Sequence, residues 1–182
     1  MPEFMEMQKI ARLSRLCTIT EKIDGTNGSI YISDDASEFL VGSRTRWITP
    51  EQDNHGFARW AQAHRDELLT LGPGHHFGEW WGLGIQRGYG LKEKRFSLFN
   101  TFRWSDAAGI RPACCGVVPV LYEGLFDTTV VVAALASLQL TGSAAAPGFM
   151  NPEGVVIYHQ AAKQYFKKTI LKDEKPKGSK EE

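Results

Sequence analysis

Five short segments of this 182-residue chain hold the side chains that could do chemistry: Lys22-Ile23-Asp24-Gly25, Ser43-Arg44, Phe77-Gly78-Glu79-Trp80-Trp81, Glu153-Gly154 and Phe166-Lys167. A lysine amine attacks an electrophilic centre once it has lost a proton, because an ammonium has no lone pair. Carboxylates accept hydrogen bonds from hydroxyls and bind hard divalent cations through oxygen. Arginine and lysine at strand ends suit phosphate oxygens. Each segment alone has a plainer explanation. Lys-x-Asp-Gly reads as a surface lysine before a turn, Arg44 and Lys167 as solvated strand ends, and Glu79 and Glu153 as carboxylates paired to a neighbouring base. Their joint occurrence in this order is what raises the chemical reading above the plain one.

Strand patterns dominate the elements that must position these groups. Residues 17–24 and 28–33 alternate as two strands of an expected hairpin, joined by the turn formers Gly25-Thr26-Asn27-Gly28. Further strands are expected over 38–46, 75–81, 96–104, 117–126, 153–159 and 164–171. Phe57, Trp60, Ala61, His64, Leu68 and Leu71 recur at helical spacing, with Asp53 or Asn54 as N-cap. A second helix is expected over 128–140, capped by Asp127 and stopped by Gly142. Its Val and Ala content fits burial against a sheet. Short links between most strands favour a mostly antiparallel α+β domain over 1–171. Residues 172–182 carry eight charges and no apolar side chain, and are expected to form a disordered tail.

In this order the segments resemble the covalent nucleotidyltransferases, the polynucleotide ligases and mRNA capping enzymes, across about residues 9–171. Glu21 directly before Lys22 and Thr26-Asn27 after Gly25 resemble the RNA ligase 2 type most. So do Gln86 and, in Phe96-Ser97-Leu98-Phe99, the later aromatic Phe99. The resemblance implies an ATP-grasp-like α+β domain whose antiparallel sheets enclose a nucleotide cleft with flanking helices. It implies ATP and Mg²⁺ or Mn²⁺, a lysyl-AMP bond on Lys22, and transfer of AMP to a polynucleotide 5′-phosphate for end joining. RNA ends are expected before DNA ends.

The same resemblance supplies roles. Arg44 and Lys167 would meet the α-phosphate, and Arg44 also a strand's 5′-phosphate. Glu79 would hold the ribose hydroxyls, Glu153 the metal, and Phe99 the adenine face. The main chain of Thr20 and Glu21 would read the base edge, and Asn27 would bond phosphate or orient the loop. Gln86, Arg46 and Lys168 are possible substrate contacts. Two departures stand out. The family's last motif places two basic residues one apart on the same strand face, whereas here Thr169 stands two places after Lys167 and Lys168 should face away. The chain also stops soon after that motif, so a C-terminal domain is expected to be missing and a partner protein or oligomer to replace it. The rivals are an ATP-dependent DNA ligase catalytic domain, because Asp24 is common there, and a catalytically degenerate module that binds RNA ends.

Composition narrows the classes. Hydrophobic residues at 42% and charged residues at 23% exclude wholesale disorder. Twenty-one basic against 21 acidic residues argue against indiscriminate coating of nucleic acid. Affinity is expected from a local basic face drawn from Arg44, Arg46, Arg87, Lys92, Lys94 and Arg95. No apolar run is long enough for a membrane span, and the first residues lack the order of a secretory signal. Cys17, Cys114 and Cys115 form no disulfide framework or zinc motif, so a reducing, cytoplasmic location is expected. Cys114-Cys115 reads as a pair of small apolar residues. The glycines of 82–88 lack a P-loop ending, and His75-His76 lacks zinc-protease spacing.

Overall fold

Two sheets share the work of burying the chain, and each shows one face to helices. The computed structural model describes residues 1–106, 109, 111–171 and 173, so all of the expected tail except Asp173 lies outside the described residues. The first sheet has the order β10-β9-β1-β8, built from β1 (Leu16–Lys22), β8 (Val120–Leu125), β9 (Gly154–His159) and β10 (Gln164–Thr169). All its pairings are antiparallel. Cys17 and Ile19 of β1, with Val155 and Ile157 of β9, pack under Val131, Ala134, Leu135 and Leu138 of α3 (Thr128–Thr141). Asp127 Oδ1 accepts from the Thr129 amide at 2.7 Å at the start of that helix, and Gly142 ends it with φ 82°. Both ends of α3 lie where the sequence placed them.

The second sheet has the order β4-β3-β2-β5-β6-β7. Its strands are β2 (Thr26–Ile32), β3 (Phe39–Gly42), β4 (Trp47–Ile48), β5 (Gly74–Gly82), β6 (Lys94–Leu98) and β7 (Cys115–Val117). Among the described residues only the β6–β7 pairing is parallel. Ile30, Ile32, Val41, Trp80, Phe96 and Leu98 cover one face with the helical segment. That segment is broken in two, α1 (Phe57–Ala63) and α2 (Arg65–Leu69), at His64. Gly56, not Asp53, occupies the N-cap position. Asp53 still caps from a distance, accepting from the amides of Ala58 at 2.8 Å and Arg59 at 3.2 Å.

Several expected boundaries move. The hairpin of 17–24 with 28–33 does not form: β1 pairs with β8 and β9, whereas β2 pairs with β3 and β5. Residues 23–25 instead carry the chain from one sheet to the other. Gly25 serves close approach, because a Cβ there would strike the Trp80 carbonyl. The strand expected over 38–46 ends at Gly42, and Ser43–Arg46 becomes a hairpin loop closed by Ser43 N to Arg46 O at 2.8 Å. The strand expected over 117–126 splits at Val118-Pro119, where the chain again changes sheets. That leaves Pro119 O to accept from the Glu21 amide at 2.9 Å. Ile23, Trp81, Tyr89, Val118 and Ala146 form a third core where the sheets join. No helix among the described residues is long and apolar enough to cross a membrane.

Candidate active site

Alternation along β1 decides which side chains face where. Cys17, Ile19 and Glu21 point to the α3 side, which leaves Thr18, Thr20 and Lys22 on the other face. Lys22 lies opposite Gly154 of β9, so Glu153 is its neighbour across the strands. Glu153 Oε2 accepts from Lys22 Nζ at 2.8 Å, and the carboxylate is 5% exposed. The backbone of Glu153 is held too, its carbonyl accepting from the Ile170 amide just after β10 at 2.9 Å.

Register places the last-strand lysines on opposite faces. Lys167 stands opposite Val156, which stands opposite Thr20, so Lys167 shares the Lys22 face. Lys168 stands opposite Val155, on the Glu21 side, and its Nζ donates to Asp173 at 3.0 Å. Thr20 is half-buried on the Lys22 face. Glu21 is turned the other way, its carboxylate accepting from Ser143 Oγ at 2.6 Å and the Ala145 amide at 2.9 Å.

The second sheet brings Glu79 to the crossing. Its Oε1 accepts from the Gly25 amide at 3.0 Å and its Oε2 from Asn27 Nδ2 at 3.3 Å; Asn27 and Glu79 are direct cross-strand partners. Burial pushes the Glu79 carboxyl from 4.5 up to about 7. Lys22 and the Gly25 amide oppose that rise, while Glu153 and Asp24 add to it. Lys22, Glu79 and Glu153 thus form one electrostatic cluster assembled from both sheets.

Three residues that the sequence did not mark as partners brace this cluster. Arg87 Nε donates to Asp24 Oδ2 at 2.9 Å, and its Nη1 donates to Asn151 O at 3.0 Å and Asn151 Oδ1 at 2.9 Å. One guanidinium thereby ties the connector after Lys22 to the segment before Glu153. Tyr89, buried behind it, accepts from the Asp24 amide at 2.7 Å. No spacing signal could have joined Asp24 to Arg87 across 63 positions.

The other expected residues are more open. Phe99 follows β6, with its amide donating to Phe77 O at 2.9 Å, which puts its side chain on the Glu79 face at 36% exposure. Arg44 is exposed in the Ser43–Arg46 loop, and Arg46 there reaches Gln52 O at only 3.5 Å. Gln86 is exposed with φ 46° in the loop that carries Arg87.

The expected basic face is reduced by internal pairing. Arg87 points inward, Lys94 Nζ donates to His55 O at 2.6 Å, and Arg95 pairs with Glu93 at 2.6 Å. Cys114 and Cys115 bring their sulfurs to 3.9 Å; burial pushes the Cys114 thiol up to about 11 and that of Cys115 higher still, which fits unreactive packing groups.

A metal would find limited protein support. Among the described residues no group of three or more His, Cys, Asp or Glu is arranged to hold an ion. Glu153, a hard oxygen donor beside Lys22, does fit a Mg²⁺-like cation that takes its remaining ligands from phosphates and water.

A family model described as RNA ligase matches residues 15–172. No curated protein matches the chain by sequence. Among solved structures, a variant of Naegleria gruberi RNA ligase with ATP and Mn superposes with a TM-score of 0.63 at 20% identity, over 93% of this chain and 57% of that one. A second variant with ATP and Mn gives 0.61 at 20% identity, over 86% and 50%. A third, with AMP and Mn, gives 0.59 at 21% identity, again over 86% and 50%. The chain therefore spans about half the length of the solved ligases it matches.

Proposed function

We propose a function from one premise, that this chain belongs to the RNA ligase family: it is an ATP-dependent nucleotidyltransferase that adenylates Lys22 and passes AMP to RNA 5′-ends for joining. The observation that carries this reading is the 2.8 Å pair of Lys22 with the buried Glu153, at the crossing where Glu79 also converges. A lysine needed only for solubility has no reason to sit between two buried carboxylates. The likeness to RNA ligases holding ATP or AMP with Mn supports the choice of nucleotide and cation.

The reaction is balanced by groups already in place. Lys22 Nζ gives up a proton to solvent; a divalent cation taking the lysine's place on Glu153 Oε2 would favour the neutral amine. The free amine attacks the α-phosphorus of ATP, a P–N bond forms, and the α–β bridging P–O bond breaks to release pyrophosphate. A 5′-phosphate oxygen then displaces the lysine, and a 3′-hydroxyl oxygen displaces AMP to close the phosphodiester. A divalent cation held by Glu153 would neutralise developing phosphate charge.

Glu79 keeps lone pairs for ribose hydroxyls, and Lys167 and Arg44, in no ion pair among the described residues, would meet phosphate. Thr20, Asn27 and Phe99 would line the cleft between the sheets, with Gln86 and Arg46 further out; Lys168, on the Glu21 side and paired with Asp173, would be no part of it. A partner protein or a second copy would supply the remaining polynucleotide grip. A cytoplasmic, reducing setting suits the three free thiols.

Incubation with α-labelled ATP and Mg²⁺ or Mn²⁺ should label the protein, and Lys22→Ala should abolish the label. Added 5′-phosphorylated RNA should then take up AMP from the labelled protein. Equal labelling of parent and Lys22→Ala would end the enzyme reading. Transfer to DNA ends alone would reassign the chain to DNA joining.

A further inference from the structure

The face of the second sheet that carries Glu79 continues, away from the first sheet, into a bare aromatic surface. Register lays it out in rows. Asn27, Glu79 and Ser97 form the row at the site. The next row runs Trp47, Gly42, Ser29, Phe77, and ends at Phe99 beside Phe77. Beyond it lie Tyr31 and His75. All of these point away from the α1–α2 side, because Ile30, Ile32, Val41, Ile48 and Trp80 between them fill that core.

The rings sit side by side at ordered angles. Trp47 and His75 have centroids 6.2 Å apart and planes 20° apart; His75 and Phe77 are at 5.9 Å and 7°. Tyr31 lies 4.7 Å from His75. Trp47 can lie across the sheet because Gly42 beneath it has no side chain: a Cβ there would meet the indole Cε3 at 3.2 Å. Yet Trp47 is 50% and Phe77 56% exposed. Burying such rings is worth more than leaving them wet, so their exposure marks a surface built for something to cover.

Charge says what. The loop leading into Trp47 holds Arg44 and Arg46, neither of which is in an ion pair among the described residues. Stacking rings edged by unpaired guanidinium groups match a polymer with flat apolar bases and an anionic backbone. From β6 to β4 is four strand spacings, about 19 Å, enough for more than one nucleotide. We propose that Trp47, Tyr31, His75 and Phe77, with Arg44 and Arg46, form a stacking platform that holds an unpaired RNA strand beside the Lys22 site. This rests on the ligase reading for the identity of the strand, while the stacking itself does not depend on catalysis.

The test separates the two. Binding of a fluorescein-labelled single-stranded RNA 12-mer is followed by anisotropy for the parent, Trp47→Ala, and the milder Phe77→Leu, which keeps apolar bulk and removes the ring. Lys22 labelling with ATP is measured on the same preparations. Each substitution should weaken RNA binding about 5-fold or more while labelling stays at the parent level. An abasic strand with the same number of phosphates should bind the parent at least as weakly as the base-bearing strand binds Trp47→Ala.

Unchanged RNA affinity in both variants overturns the platform, whatever happens to labelling. Equal affinity for the abasic strand also overturns it, since only charge would then be read. A concentration-dependent dimer that Trp47→Ala dissolves, with no effect on RNA, assigns the face to a second copy of the chain instead. Loss of labelling from the parent itself would sink the ligase reading and leave the binding comparison intact.

Discussion

The two sides of the candidate site are built on opposite plans. Around Lys22 the carboxylates and the bracing arginine are already engaged within the protein: Glu153 with Lys22, Glu79 with Gly25 and Asn27, Asp24 with Arg87, and Arg87 with Asn151. Around the Ser43–Arg46 loop the cations and rings are exposed. The difference separates two physical tasks. Groups that must hold an angle for a reaction are set by buried partners before any ligand arrives, so no reorganisation is needed at the moment of reaction. Groups that would meet a polymer of variable sequence are left exposed, and would gain their partners on binding.

That contrast can be broken most directly at Glu153. Replacing it by Gln removes the charge that would hold the cation but keeps the shape, so ATP labelling of Lys22 should fall ~100-fold or more with little change in melting temperature. Labelling near the parent level would return Glu153 to a structural role.

Arg87→Ala tests the braced side through stability. It takes the cation away from an aspartate that is 6% exposed, at a cost of about 3 kcal/mol. In a chain of this size that is a fall of roughly 6–12 °C in melting temperature. Arg87→Lys should recover little, because a single ammonium cannot span Asp24 and Asn151 together. A melt unchanged by Arg87→Ala would mean that the two segments do not need the clamp.

Glu79 sharpens the comparison through pH. Its carboxyl rises from 4.5 to about 7 on folding, so the native state binds the proton more tightly than the unfolded chain. The contribution of this group is fully present below pH 4.5 and is lost as pH rises through about 7. The change amounts to roughly 3 kcal/mol at most. Denaturant midpoints from pH 4.5 to 8 should therefore slope down more steeply in the parent than in Glu79→Gln. Parallel curves would place the titrating group elsewhere.

The smallest effect on the fold belongs to the open side. Arg44→Ala should alter stability by less than about 0.5 kcal/mol. It should still lower the slope of log affinity for RNA against log salt by about 1. An unchanged slope would show that Arg44 meets no phosphate.

Much of this was readable from local pattern, and the limits follow the range of the forces involved. Asp127 and Gly142 marked α3 correctly because capping is satisfied within one turn of the chain. Lys22, Glu79 and Lys167 were placed on strands because alternation is local. The same local signals misled where the chain had two ways to satisfy them. Gly25-Thr26-Asn27-Gly28 has the composition of a hairpin turn, but Gly25 is there to let the backbone pass Trp80, and Thr26 already belongs to the next sheet. The helical spacing of Phe57 to Leu71 was real, with Phe57, Ala61, Leu68 and Leu71 all buried, although the backbone breaks at His64.

What the sequence by itself determined was the inventory: a lysine, two carboxylates and two further cations, in the order of a known family, with α3 bounded by its own caps. Tertiary structure alone decided the pairings: Glu153 against Lys22 across 131 positions, and Arg87 against Asp24 across 63. It also decided that Arg87 would brace the site while Arg44 stayed open. The physical reason is that propensity, alternation and capping act over a few residues, whereas an ion pair needs two groups buried at one point. That point exists only after both sheets have closed around Ile23 and Trp81.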